Sequence, residues 1–218
     1  MIKRELYMNR IRPFIGGELI KVMTGIRRSG KSVMLELIKE ELAEAGVAPS
    51  QMISINFEDM RYSHLQTATA LHDEIIKRAE GIEGKAYLFF DEIQEVEGWE
   101  KCVNSLRVAL DCDIYITGSN AKLLSGELAT YIGGRYVEFV IYPFSFAEFL
   151  ELYHTIAPSD SIQQCFQKYL LAGGMPYLAN LRYEEEPSRQ YLTDLFNSVQ
   201  LKDIVKRNKI RDIDLLER

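Results

Sequence analysis

The 218-residue sequence predicts an α/β fold, a five-stranded parallel sheet with helices on both faces, followed by a small helical subdomain. Three observations predict it. Short, nearly all-apolar runs such as Ala86-Tyr-Leu-Phe-Phe90 alternate with stretches whose apolar residues recur three and four apart. Continuous apolarity is what a strand covered on both faces requires. After Pro143-Phe144 the strand signal stops and only helical patterns follow.

Taken in order, Ile2 to Ile11 is a polar, amphipathic start closed by Pro13 and by Gly16-Gly17. Glu18 to Thr24 reads as the first strand, and a glycine-bracketed loop follows it. From Lys31 onward Leu35, Ile38 and Leu42 share one helical face with Glu36, Lys39 and Glu40 outside, and Gly46 with Pro49 stops the helix. Met52 to Phe57 is the second strand, and Leu71, Ile75 and Ile76 mark a helix that Gly81 ends. Ala86 to Phe90 is the third strand, Trp99 to Leu110 a helix, Asp113 to Thr117 the fourth strand and Tyr136 to Tyr142 the fifth. Phe146 to Tyr153, Ile162 to Ala172, Ser188 to Val199 and Lys202 to Asn208 all carry helical spacing. The sequence has no internal repeat and no low-complexity linker.

Composition narrows the class further. With 47% apolar and 27% charged residues, 14 Gly and 6 Pro, the chain is neither collagenous nor largely disordered. Lys plus Arg number 26 against 32 Asp plus Glu, a net charge of -6, so the chain as a whole offers no electrostatic footprint for nucleic acid. Cys102, Cys112 and Cys165 are odd in number and fall at no metal-ligand spacing, which fits buried reduced thiols. The start MIKRELYMNR lacks the apolar stretch of a signal peptide, and no apolar run approaches the length of a membrane span. A soluble, cytoplasmic protein with no membrane partner is the expectation.

One loop carries explicit chemistry. Gly25-Ile26-Arg27-Arg28-Ser29-Gly30-Lys31-Ser32 matches the phosphate-binding pattern G-x-x-x-x-G-K-[ST] without a gap, between a strand and a helix as the pattern requires, and Val33 continues into that helix. Glycines let the backbone curl so that successive N–H groups converge on phosphate oxygens, and the helix adds its positive end. Lys31 then reaches the β- and γ-phosphates, and the Ser32 hydroxyl ligates Mg²⁺. A second signal is Tyr87-Leu-Phe-Phe-Asp91-Glu92, an apolar strand ending in two carboxylates. Asp91 is the metal-side candidate, and Glu92, past the strand end, is placed as a general base for water. Read alone, the acidic pair also fits a solvated strand terminus or a helix cap.

These motifs resemble the P-loop ATPases of the AAA+ class, and more narrowly the prokaryotic ATP-binding proteins whose loop reads G-x-R-R-x-G-K-[ST]. Arg27-Arg28, Phe90-Asp91-Glu92-Ile93-Gln94, and Gly134-Arg135 running to Tyr142-Pro143-Phe144-Ser145-Phe146 carry the likeness, which extends from about Arg10 to the end. The resemblance implies ATP and Mg²⁺ as ligands and a sheet order 5-1-4-3-2, with a strand inserted between the loop strand and the acidic strand. It implies a polar sensor of the γ-phosphate at the end of that inserted strand, where Thr117-Gly-Ser119-Asn120 falls; Asn120 is the candidate, Ser119 the alternate, and a plain Gly-Ser-Asn turn the other reading. It implies that Asn56 holds the catalytic glutamate until a ligand engages, a strand-end turn being the alternative. Arg135 resembles a trans-acting arginine finger reaching a neighbour's nucleotide, which implies a homo-oligomer. Gly173-Gly174-Met175-Pro176 resembles the turn that opens a helical lid, although the sensor position near Arg182 is not clearly preserved.

Rival readings separate on sequence. A GTPase needs an Asn-Lys-x-Asp-type guanine reader, and the fourth strand instead ends Ile-Thr-Gly-Ser-Asn. Leu124-Ser125-Gly126-Glu127 partly echoes a transporter signature but lies downstream of the acidic strand. Small-molecule kinases usually lack the second acid and the inserted strand. The expectation is ATP hydrolysis, with a slow-hydrolysing ATP-dependent switch or scaffold as the alternative. The spacing places an ATP-binding domain over 1–145, a helical lid-like subdomain over 146–200 and, over 201–218, the start of a further domain, since the amphipathic pattern meets no stop signal before Arg218. Proteins of the resembled group typically carry such a domain, similar in places to PD-(D/E)XK nucleases, but this sequence holds no nuclease motif. Nucleic acid as a partner is therefore an analogy that the charge does not support.

Overall fold

A computed structural model describes residues 2–118 and 132–199. The elements are α1 (Glu5–Ile11), β1 (Ile20–Thr24), α2 (Lys31–Glu44), β2 (Met52–Asn56), α3 (Ala68–Ala79), β3 (Ala86–Asp91), α4 (Trp99–Ala109), β4 (Cys112–Thr117), β5 (Tyr136–Val140), α5 (Phe146–Tyr153), α6 (Ile162–Ala172) and α7 (Glu185–Val199). The strands form one five-stranded sheet in the order β2-β3-β4-β1-β5, every pairing parallel. This is the expected order 5-1-4-3-2 read from the other edge. Expected strand ends moved by one or two residues: β3 extends to Asp91, and β5 stops at Val140, three residues before Pro143, which has no N–H to continue a ladder.

Period-two alternation sorts the strand residues onto two cores. Val22, Leu88, Phe90, Ile114 and Ile116 pack against Leu71 and Ile75 of α3 and Val103 and Leu106 of α4. Their neighbours Met23, Phe89, Tyr115 and Phe139 pack against Met8 and Ile11 of α1 and Met34 and Ile38 of α2, with Phe89 stacked on Tyr115 at 4.8 Å. With both faces covered, the strands can be apolar along their whole length, which is why they were legible.

A charged residue breaks that rule inside β1. Lys21 is fully buried and paired with the equally buried Asp113 of β4. Asp113 also accepts from the Tyr115 hydroxyl at 2.7 Å and from the Gly16 N–H at 2.6 Å, while Lys21 donates to the Gly17 carbonyl at 3.1 Å. Burial pulls the Lys21 ammonium below the usual lysine range, with Asp113 opposing. This network lies at the start of the strands, since Lys21 is the second residue of β1 and Asp113 the second of β4.

By contacts the chain divides into two units, Lys3–Ile26 with Gly30–Ile141, and Tyr142 onward with Ile2 and Arg27–Ser29. The helical unit has its own core of Phe144, Phe149, Tyr153, Cys165, Met175, Leu178 and Tyr183. Phe149 stacks on Tyr153 at 5.1 Å and meets Tyr183 edge-on at 4.9 Å. A capping box opens α5, where the Ser145 hydroxyl accepts from the Glu148 N–H at 3.3 Å and Glu148 accepts from the Ser145 N–H at 2.9 Å. A second box, Ser161 with Gln164, opens α6. The last helix begins at Glu185 rather than at Ser188, with Pro187 in its first turn, where a missing N–H leaves no ladder bond unmade. Among the described residues no helix is long and apolar enough to cross a membrane.

Candidate functional site

The glycine-bracketed loop leaves the end of β1, where parallel α/β sheets place their ligands. Its curl is written in the backbone: Gly25 has φ 142° and Gly30 φ 101°, and Arg28 is drawn to φ 63°, an uncommon conformation for a residue with a side chain. Gly30 is the N-cap of α2, so the unpaired N–H groups of that helix's first turn open onto the loop. Ile26, Arg28, Ser32 and Val33 are exposed, Arg27 and Gly30 half-buried, and Ser29 and Lys31 buried. The Lys31 ammonium folds back to donate to the carbonyls of Gly25 and Ile26, each at 3.2 Å, and stands 3.8 Å from Glu92 Oε1. An ammonium gathered by two carbonyls and a carboxylate at the mouth of an N–H-rich loop is placed to take anionic oxygens.

The acidic strand meets it from the side. Asp91 ends β3 buried between its neighbours, where register sets its partners. Asn56 lies opposite it on β2 and donates to Asp91 Oδ2 at 3.0 Å. Ile116 of β4 lies opposite Phe90, so Thr117 comes beside Asp91, and its hydroxyl donates to Asp91 Oδ1. The same hydroxyl accepts from the Glu92 N–H at 3.0 Å. Glu92 turns out of the strand in the left-handed region, φ 54°, and Gln94 Nε2 donates to its Oε2. The turn is anchored by Ile93, which is fully buried.

One expected role changes. Asn56 engages Asp91 rather than Glu92, because strand register faces it with the last residue of β3 while Glu92 has already turned away, and its Oδ1 accepts from the Glu58 N–H at 2.9 Å, the strand-end turn that was the alternative. The residues that fix the acidic pair are Asn56 and Thr117 on Asp91 and Thr117 and Gln94 on Glu92. For Thr117 the available signal was a threonine ending the strand beside the acidic one. Asn120, with its alternate Ser119, lies outside the described residues, as does Leu124-Ser125-Gly126-Glu127. Arg135 precedes β5 at the strand-start end, its carbonyl accepting from the Ile20 N–H at 3.0 Å and its guanidinium donating to Asn104 at 2.8 Å. The loop leaves the opposite end of β1, so Arg135 is not brought to its own chain's loop. Gly173-Gly174-Met175-Pro176 joins α6 to a short 3₁₀ turn, Pro176–Ala179, within the helical unit, and Arg182 sits there in the left-handed region, φ 51°.

The donor set fits Mg-nucleotide. Mg²⁺ is a hard cation held through one or two protein oxygens together with phosphates, and the Ser32 hydroxyl and Asp91 carboxylate are such oxygens. The loop and Lys31 supply donors for the phosphates.

Comparison with known proteins bears on the family and the fold. Residues 18–150 match the protein family described as AAA domain. An uncharacterized protein of Haemophilus influenzae is 40% identical over 218 residues, covering 100% of this chain and 54% of its own length. An uncharacterized protein of Methanocaldococcus jannaschii is 34% identical over 203 residues, covering 89% of this chain and 44% of its own. The chain thus spans about half the length of the curated relatives it matches. Among solved structures, AMPPCP-bound DnaA from Aquifex aeolicus aligns with a TM-score of 0.54 at 13% identity, over 95% of this chain and 66% of that one. A Thermotoga maritima RuvB mutant aligns with a TM-score of 0.54 at 14% identity, over 93% and 69%. At such identities the likeness is one of fold.

Proposed function

The chain belongs to the AAA domain family, and from that premise we propose that it binds Mg-ATP and hydrolyses it. The observation that carries the reading is the meeting of Lys31, at the start of α2, with Glu92, just past the end of β3, 3.8 Å apart. The loop N–H groups of Gly25 to Ser32 and the α2 N-terminus hold the phosphates, and Lys31 exchanges the Gly25 and Ile26 carbonyls for phosphate oxygens. Ser32 and Asp91 would hold Mg²⁺, which would offset the charge of the phosphates. Asn56 and Thr117 fix the Asp91 carboxylate from both sides, so the metal-side ligand is oriented before anything binds. Glu92 takes a proton from the attacking water.

Arg135 serves the nucleotide of a second copy, since it stands at the strand end away from its own loop. The nucleotide-binding domain is 1–145 and the lid-like subdomain 146–200, and the nucleotide state controls an unidentified partner. A slow switch, in which the same loop and acidic pair bind nucleotide and turn it over rarely, is the second reading. Turnover distinguishes the two, as slow, partner-stimulated hydrolysis with retained nucleotide belongs to a switch.

Equilibrium binding of a fluorescent ATP analogue tests the shared core. Lys31→Ala should weaken it about 10- to 100-fold, the worth of charge-assisted hydrogen bonds. A wild-type protein that does not take up the analogue would overturn the proposal.

A further inference from the structure

The Glu92 carboxylate has two oxygens with different surroundings. Oε1 faces the loop lysine, and Oε2 accepts from Gln94 Nε2. A carboxylate pinned at one oxygen can present the other in only a narrow range of directions, and Gln94 therefore decides where the proton acceptor points. The turn that carries Gln94 is itself fixed, with the Glu95 N–H on the Glu92 carbonyl at 3.2 Å, the Val96 N–H on the Ile93 carbonyl at 3.0 Å, and Ile93 and Val96 buried in the sheet core.

The other end of the same amide is unusual. Gln94 Oε1 is buried and has no hydrogen-bond partner among the described residues. A buried acceptor without a donor is destabilising, so its retention calls for a donor that arrives later. Amide geometry keeps this oxygen close to the carboxylate that Nε2 binds, and Glu92, as an acceptor only, fixes which end of the amide faces it. A water molecule has two O–H donors. Glu92 takes one of them on activation, and the other needs an acceptor nearby.

We infer that Gln94 is the positioning residue for Glu92 and that its carbonyl oxygen accepts the second O–H of the attacking water. This rests on the ATPase reading above. The water oxygen bonds to the γ-phosphorus as the bond from that phosphorus to the bridging oxygen of ADP breaks. One water proton passes to Glu92 Oε1, and the other stays on the oxygen, now part of phosphate, hydrogen-bonded to Gln94.

Gln94→Met keeps the length of the side chain and removes both hydrogen-bonding atoms, while Gln94→Asn keeps the amide one methylene shorter. Phosphate release should fall about tenfold or more in Gln94→Met, with KM and the Kd of a fluorescent ATP analogue within about twofold of wild type, since an effect on the water step is one on kcat. Gln94→Asn should lie between the two. In a Glu92→Gln background, Gln94→Met should cause a smaller loss than in wild type, because the part that acts through Glu92 has nothing left to act on while the contact to water remains. Without nucleotide, Gln94→Met should melt no lower than wild type, having shed an unpartnered buried oxygen. Wild-type kcat in Gln94→Met, an undiminished loss in the Glu92→Gln background, or a lowered melting temperature with weakened nucleotide binding would each overturn the inference. A wild-type protein that binds the analogue but releases no phosphate would instead overturn the hydrolytic reading on which it stands.

Discussion

The Thr117 hydroxyl does two things at once, giving its proton to Asp91 and receiving the Glu92 N–H, and so sets the spacing of the acidic pair. Thr117→Val keeps the shape and leaves the Glu92 N–H without its acceptor. It should lower stability by about 1–3 kcal/mol in urea denaturation, and Thr117→Ser should recover most of that. The loop and Asp91 were legible in sequence because their spacing is contiguous. The bond from Thr117 to Asp91 was not, because it depends on the register of two strands whose residues lie 26 positions apart. The cysteines were expected to be buried reduced thiols; all three are free, Cys102 and Cys165 are buried and Cys112 is half-buried, and burial pushes the thiol of Cys102 up to about 12 and that of Cys112 to about 11 and raises Cys165 as well. At pH 8 a thiol reagent should modify the folded chain slowly and all three cysteines in denaturant. Rapid reaction of the native protein would contradict the burial.

At the scale of elements, legibility followed coverage. Strands packed on both faces show continuous apolar runs, and helices with one buried stripe show their period, whereas Lys21 argues against a buried strand until Asp113 is placed beside it, 92 residues away. Gly174 shows the limit from the other side. It was singled out as part of a turn, but its role is close approach: the Phe144 N–H donates to its carbonyl at 2.7 Å, and a Cβ there would lie 2.1 Å from the Phe144 carbonyl oxygen. Gly174→Ala should therefore destabilise the helical unit by about 3 kcal/mol or more, seen as a lowered melting transition, since backbone cannot yield as a side-chain tip can. Ser145→Ala, which removes one half of the α5 capping box, should cost about 1 kcal/mol.

For the whole molecule, the net charge of -6 describes these 218 residues, which span about half the length of their relatives, so it does not bear on what the relatives' remaining length binds. The sheet order places Arg135 and the loop at opposite ends of neighbouring strands, and this makes the arginine a question about assembly. Mixing Arg135→Ala with Lys31→Ala subunits should restore part of the activity each lacks alone, because some sites then combine an intact loop with an intact arginine. Absence of rescue would remove the shared site. The central claim, that the strand-end pair is an ATP-hydrolysing centre, is tested most directly by steady-state phosphate release from wild type and Glu92→Gln at saturating ATP. The expected result is a rate at least about 100-fold lower in Glu92→Gln with nucleotide still bound, the loss of a general base. Equal rates in the two proteins would contradict it.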